Sequence, residues 1–268
     1  MENIDFKKYK RFFAFGCSFT DYNWPTWANI IEREIPESYI YAKPGAGNFY
    51  IFQALMEATL HHKINKDDLV MIMFSNVTRE DRFTRDRGWI TSGNLIYQNE
   101  YDHDFLRKYL CEHGYLMRDA NLIHGCRMTL DAIGCDYELM SMVPIDSAES
   151  NNKRIRNVAY ILDFYEDTLS KLKPSVMEVV FDNDWNSRPN RPTYKASWAK
   201  GMYKDNHPSP LEHLEYLQKI YPDIKISDAT FNFINEMNDK VFAEGFDPQK
   251  MKFEKNLYPR LGQSEIYD

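Results

Sequence analysis

Arg11-Phe12-Phe13-Ala14-Phe15 runs directly into Gly16-Cys17-Ser18-Phe19-Thr20. A short apolar run closed by a glycine reads as a buried strand followed by a tight turn. The same rhythm recurs outward from it. Trp24 to Glu34 places Trp27, Ile30 and Ile31 on one helical face, and Tyr39 to Ala42 is a second strand. In Phe49 to His61 the residues Phe52, Leu55, Met56 and Leu60 recur at helical spacing, and Leu69 to Phe74, behind the charged turn Lys66-Asp67-Asp68, is the clearest strand. A helical pattern covers Asp104 to Ile133, with Gly114 or Gly125 as candidate breaks, and Leu139 to Val143 is a fourth strand. Arg154 to Leu172 carries Ile155, Val158, Ala159, Leu162, Tyr165, Leu169 and Leu172 on one stripe and predicts a long amphipathic helix. Pro210 to Ile220 is a last core helix, while residues 79–100 and 174–206 show no period and read as an insertion and an elaborated loop region. Strands separated by helices predict an α/β fold with a parallel sheet. Ligands of such sheets sit off the carboxyl ends of the strands.

Residues 222–268 depart from the rhythm. Asp228 caps a predicted helix carrying Phe231, Ile234, Met237 and Val241, and the period fades after Phe242. The expected division is a 1–221 domain and a 222–268 helical appendage and tail, the tail being the expected contact for a second copy or a particle.

Composition narrows the function classes. A net charge of -7 argues against a general nucleic-acid binder, which carries a basic stripe. No apolar run approaches the roughly 20 residues of a membrane span, and Met1 to Arg11 lacks the apolar stretch of a secretory signal. Neither nucleic acid nor membrane is expected as a partner, and the cytoplasm is the expected location, with a virion as the alternative. The four cysteines, Cys17, Cys111, Cys126 and Cys135, form no C-x-x-C pair, so they read as reduced thiols rather than metal ligands.

Four motifs carry chemistry. Ser18, at a strand end, is a candidate nucleophile whose own N–H and the following helix N-terminus can stabilise negative charge. Lys43-Pro44-Gly45-Ala46-Gly47-Asn48 is a loop whose glycines admit close backbone approach. Asn76, after Phe74-Ser75, can donate a hydrogen bond at the sheet edge. Asp205-Asn206-His207-Pro208-Ser209-Pro210 offers His207 as a general base near neutral pH, with Asp205 to fix its tautomer. Each falls at a predicted strand end or helix mouth on one edge of the sheet. Arg79 and Arg82 follow the third strand, and the loop aromatics Tyr22, Trp24, Trp185 and Trp198 flank the motifs. Of these, Arg79, Tyr22 and Trp24 are the candidate substrate contacts.

Gly16-Cys17-Ser18-Phe19-Thr20, Gly45, Asn76 and Asp205-x-His207, in that order, resemble blocks one, two, three and five of the SGNH (GDSL-type) hydrolase superfamily, in the G-C-S-F-T form met in tailed-phage genomes. The resemblance covers roughly residues 10–220. It implies a flavodoxin-like three-layer α/β/α fold, Ser18 as nucleophile, His207 as base, and an oxyanion hole built from the Ser18 and Gly45 N–H groups and the Asn76 side chain. It also implies an ester hydrolase that needs no cofactor and no metal. Three positions depart from the family pattern. Cys17 stands where the family has an aspartate, Lys204 stands three residues before the histidine where the family has its acid, and Phe74-Ser75-Asn76-Val77 replaces Gly-x-Asn-Asp. The absence of a long apolar lid favours a small acyl group, such as acetyl, on a carbohydrate or similar polar carrier. Two other readings compete: a non-catalytic SGNH-like structural or binding protein, with a virion as one setting for it, and a glycosyltransferase suggested by Asp182-Asn183-Asp184.

Overall fold

The structure, a computed structural model, describes residues 4–95, 101–147 and 154–261. Four parallel strands form the central sheet in the order β2-β1-β3-β6: β1 Arg11–Gly16, β2 Ser38–Ala42, β3 Asp68–Phe74 and β6 Asp136–Ser141. β3 is buried at all seven positions, as a central strand covered on both faces must be. Its register with β1 pairs Arg11 with Asp68 and Phe15 with Ile72. Arg11 clamps the Asp68 carboxylate with two hydrogen bonds of 2.8 and 2.7 Å. That bidentate pair marks the amino edge of the sheet and leaves the carboxyl edge to Ser18, Asn76 and Met142.

Helices cover both faces. α2 (Asn48–His62) packs with α4 (Glu112–Ile133) on one side; α1 (Trp27–Glu32), α7 (Val176–Phe181) and α8 (Pro210–Ile220) occupy the other. This is the three-layer α/β/α fold the sequence predicts. α9 (Asp228–Val241) packs on α8, and its Ile234 belongs to the main core. The chain then crosses to the far edge of the sheet. The Ile40 N–H donates to the Asn256 carbonyl at 2.8 Å, and the Tyr258 N–H donates to the Ile40 carbonyl at 2.9 Å, so a C-terminal segment covers the open side of β2. Arg260 fastens it, bonding Glu57 and lying over the Tyr50 and Trp89 rings. No described helix is long and apolar enough to cross a membrane.

Several elements differ from expectation. The first helix begins at Trp27, not Trp24, because the residue before Pro25 is disfavoured in helical backbone and Thr26 with Asn29 forms the capping box. Its N-terminus therefore lies well beyond Ser18, where the backbone makes a turn closed by the Thr20 and Asp21 N–H groups on the Cys17 carbonyl. The predicted insertion contains a hairpin of β4 (Arg79–Thr84) and β5 (Gly88–Asn94); residues 96–100 lie outside the described residues. The predicted 104–133 helix divides between α3 (His103–Tyr109) and α4, breaking at Leu110 and Cys111 rather than at either glycine. α3 buries nothing, whereas α4 turns Leu116, Ile123 and Leu130 inward. Gly125 stays helical, and a Cβ there would meet the Phe52 ring at 2.9 Å, so the glycine lets α2 and α4 approach. The 154–172 stripe is not one helix. Asn157 is left-handed at φ 58° and the chain forms only α5 (Ala159–Phe164) and α6 (Glu166–Leu169). Of the stripe, Ile155 and Val158 are buried against Val77 and Leu116, Leu162 and Tyr165 pack on that cluster half-buried, and Ala159 is exposed, while Ile161, off the stripe, is buried there. Within 174–206 lie α7 and a small hairpin of β7 (Thr193–Lys195) and β8 (Met202–Lys204).

Candidate active site

Gly16 ends β1 under Thr20. A Cβ on it would fall 1.9 Å from the Thr20 Oγ1, so only glycine closes this turn. Cys17 points into the core toward Met142. Ser18, the next residue, is 6% exposed. On the far side of the chain, α8 starts at a capping box: the Glu212 N–H donates to Ser209 Oγ, and the Ser209 N–H donates to Glu212 at 2.7 Å. Glu212 also takes two hydrogen bonds from Arg191, whose guanidinium reaches the carbonyls of Asp205 and His207. Trp24 Nε1 donates to the Pro208 carbonyl at 2.7 Å. The loop before α8 is thus held from three sides.

That framework brings together residues 189 positions apart in sequence. The Ser18 Oγ lies 2.9 Å from His207 Nε2, and His207 Nδ1 lies 2.7 Å from Asp205 Oδ1. The same Oδ1 accepts the His207 backbone N–H at 2.8 Å. The two-residue offset therefore closes as a local turn in which one carboxylate oxygen holds both the backbone and the ring of the histidine. Asp205 Oδ2 accepts the Tyr22 and Tyr194 hydroxyls at 2.5 and 2.6 Å. Burial alone pushes the Asp205 carboxyl up; the hydrogen bond and charge of His207, and the two tyrosines, outweigh it and hold the group at about 2. Burial and the neighbouring carboxylate push the Tyr22 hydroxyl well up, and burial with the Asp205 hydrogen bond does so for Tyr194, so both stay protonated donors. An ionised acceptor at Nδ1 assigns the ring proton there and leaves Nε2 to accept from Ser18. Tyr22 also stacks on the imidazole, centroids 3.8 Å apart and planes 19° apart.

A cleft of about 330 Å³ opens beside His207. Phe19, Met142, Val143 and Trp185 supply its apolar lining, and Asn76, Arg79, Asn186, Tyr203 and Asn206 its polar lining. Asn76 donates one amide hydrogen to the Ser147 carbonyl at 3.0 Å, and its oxygen accepts from Thr78. Gly45 is left-handed at φ 79°, and a Cβ there would lie 2.3 Å from the Thr91 carbonyl, so it is wedged under the β4–β5 hairpin. Its loop leaves β2 beside the serine turn, the Lys43 N–H donating to the Gly16 carbonyl.

The sequence-predicted substrate contacts separate. Arg79 lines the cleft. Trp24 does not: its indole is fully buried among Tyr22, Tyr194 and Phe246 and supports the histidine loop. Tyr22 turns its hydroxyl to Asp205 and its face to His207, so it supports that pair rather than lining the cleft. Arg82 pairs with Glu80 at the surface. Asp182-Asn183-Asp184 is a left-handed helix end followed by a 3₁₀ cap. Tyr194 and Arg191 escape the sequence reading because each acts from an irregular loop with no spacing relation to its target. Ser209 and Glu212 do carry a legible signal, the capping-box spacing before α8.

The structure thus sets Ser18, after β1, against Asp205 and His207, before α8, at the carboxyl edge of a parallel α/β sheet. Two solved structures are similar to this chain. One is a member of the lipolytic protein G-D-S-L family from Veillonella parvula DSM 2008, with 12% identity, 78% of this chain and 96% of that chain covered, and a TM-score of 0.42. The other is the psychrotrophic esterase EstA from Pseudoalteromonas sp., with 11% identity, 79% and 96% covered, and a TM-score of 0.40. No family model and no curated protein matches the chain.

Proposed function

We propose that the protein is a serine ester hydrolase of SGNH type, acting on a small acyl group, such as acetyl, carried by a carbohydrate or similar polar molecule. The observation that carries this reading is the continuous hydrogen-bonded line from Ser18 Oγ through His207 to an ionised, doubly supported Asp205. His207 Nε2 takes the Ser18 proton as the oxygen attacks the ester carbonyl; Asp205 balances the imidazolium that forms. The ring then returns the proton to the leaving alcohol, and water, deprotonated by the same nitrogen, releases the acid. The Ser18 and Gly45 N–H groups and the second amide hydrogen of Asn76 are the proposed donors to the oxyanion, a role worth about 3 kcal/mol per donor in comparable sites. The restricted, mixed-polarity cleft suits a small acyl group on a polar carrier better than a long acyl chain. The test is hydrolysis of p-nitrophenyl acetate by the wild type and by Ser18→Ala and His207→Ala. Turnover lost in both variants supports the proposal; wild-type turnover no higher than that of Ser18→Ala refutes it for small esters.

A further inference from the structure

Arg79 is 9% exposed, yet among the described residues none of its hydrogen bonds goes to a carboxylate. Its Nη1 donates to the Ala46 carbonyl at 2.8 Å, its Nη2 reaches only the Met142 thioether at 3.5 Å, and its Nε has no partner among the described residues. The neighbouring acids are committed elsewhere. Glu80 binds Arg118 and Arg82, Asp81 accepts the Gly47 and Tyr50 N–H groups at the mouth of α2, and Asp119 binds Arg118 and Asn48. Arg118 brings a second positive charge close by, donating to the Arg79 carbonyl at 2.8 Å. Asp81 is near enough for its charge to be felt by Arg79, but its carboxylate oxygens are spent on the two backbone N–H groups. A buried guanidinium with no carboxylate hydrogen-bonded to it is costly unless an anion completes it.

The cleft supplies the place for that anion. Arg79 and His207 line it together, and among the described residues no aspartate or glutamate does, in a chain with 40 acidic residues against 33 basic ones. Its other polar groups include the amides of Asn76, Asn186 and Asn206, which can donate hydrogen bonds.

We infer that the cleft recognises an anionic acyl carrier: an ester whose alcohol portion bears a carboxylate or a phosphate, seated on Arg79 while the ester faces Ser18 and His207. The inference rests on the hydrolase reading and deepens it by naming the substrate class. Planar guanidinium recognition of a carboxylate or phosphate is directional, and a charge-assisted hydrogen bond is worth enough to give about tenfold or more in selectivity.

The experiment compares kcat/KM at low ionic strength for 3-acetoxybenzoate, 3-acetoxyphenyl phosphate and the neutral methyl 3-acetoxybenzoate. The wild type is expected to prefer at least one anionic ester about tenfold or more, the preferred one identifying carboxylate or phosphate as the source. That ratio collapses toward one in Arg79→Met and is partly restored in Arg79→Lys. A wild-type ratio at or below one, or a ratio kept in Arg79→Met, overturns the inference. If Arg79→Met does not fold by circular dichroism, the wild-type ratio and the Arg79→Lys ratio decide. If the wild type turns over none of the three esters, the hydrolase reading fails separately, and calorimetric titration of 3-hydroxybenzoate and 3-hydroxyphenyl phosphate decides the anion site. Binding weakened about tenfold by Arg79→Lys supports it, and no binding to the wild type overturns it.

Discussion

Replacing Asp205 with asparagine isolates the charge of the acid from its geometry. In many triads an asparagine turns its amide nitrogen to the histidine and leaves the wrong tautomer. Here the surroundings forbid that turn. Oδ1 accepts both the His207 backbone N–H at 2.8 Å and the ring Nδ1 at 2.7 Å, so an NH2 group in its place would face two donors. Oδ2 faces two tyrosine hydroxyls, whose oxygens can accept as well as donate, so the amide nitrogen finds partners there. Asp205→Asn therefore keeps its carbonyl on His207 and keeps the tautomer. What it loses is the difference between a charge-assisted and a neutral hydrogen bond, about 1–2 kcal/mol, or roughly 5- to 30-fold in kcat/KM. Asp205→Ala is expected to fall much further, because it strands the backbone N–H and the ring N–H of His207 and two tyrosine hydroxyls at a fully buried site. The assay is kcat/KM for p-nitrophenyl acetate at pH 8 for wild type and both variants. Asp205→Asn falling to the level of Ser18→Ala, or matching the wild type, would refute the reasoning.

Further outcomes follow from the same geometry. Tyr194→Phe removes one donor from Asp205, leaves more charge on the carboxylate, and moves the acid limb of the kcat/KM–pH profile to higher pH; an unmoved limb contradicts the proposed coupling. Gly45→Ala places a Cβ 2.3 Å from the Thr91 carbonyl at a left-handed backbone position, and is expected to lower Tm by about 4 °C or more in a thermal melt. His213 is fully buried, and burial, then the charges of His207 and Arg191, hold it down at about 3 from 6.5. A base depressed by folding contributes stability that is complete above its unfolded value and drains as pH falls, so His213→Leu shows a shallower loss of stability than wild type from pH 6.5 toward 3 in urea melts. Asp205 follows the acid's rule: its contribution, about 2 kcal/mol, is present above pH 3.8 and is lost as pH falls toward 2, and Asp205→Asn lacks that segment of the curve.

The apolar runs at Phe12 to Phe15 and Leu69 to Phe74 made the sheet legible, because a strand buried on both faces has almost no polar residues to blur it. The meeting of Ser18, Asp205 and His207 was legible for a different reason: proposed acid–base chemistry limits the residue types, and their order matches the motif pattern that the sequence resembles. The β4–β5 hairpin was hidden because Arg79-Glu80-Asp81-Arg82 looks solvated, although Asp81 and Arg79 are buried under the Gly45 loop. The turn composition Asp86-Arg87-Gly88 between Arg82-Phe83 and Trp89-Ile90, which pair across the hairpin, was the available signal. The 154–172 stripe misled because inward spacing survives a chain that turns at Asn157 and Tyr165, so periodicity reported burial without reporting a continuous helix. The strap at Asn256 to Tyr258 leaves no trace, since a pairing one residue long has no period.

The central claim is that Ser18 is an activated nucleophile, and covalent capture tests it most directly. The protein is treated with a fluorophosphonate probe and digested, and the adduct is located by mass spectrometry. One adduct is expected, on the peptide carrying Ser18, formed much more slowly in His207→Ala and absent in Ser18→Ala. No adduct on the wild type, or an adduct that persists in Ser18→Ala, contradicts the account.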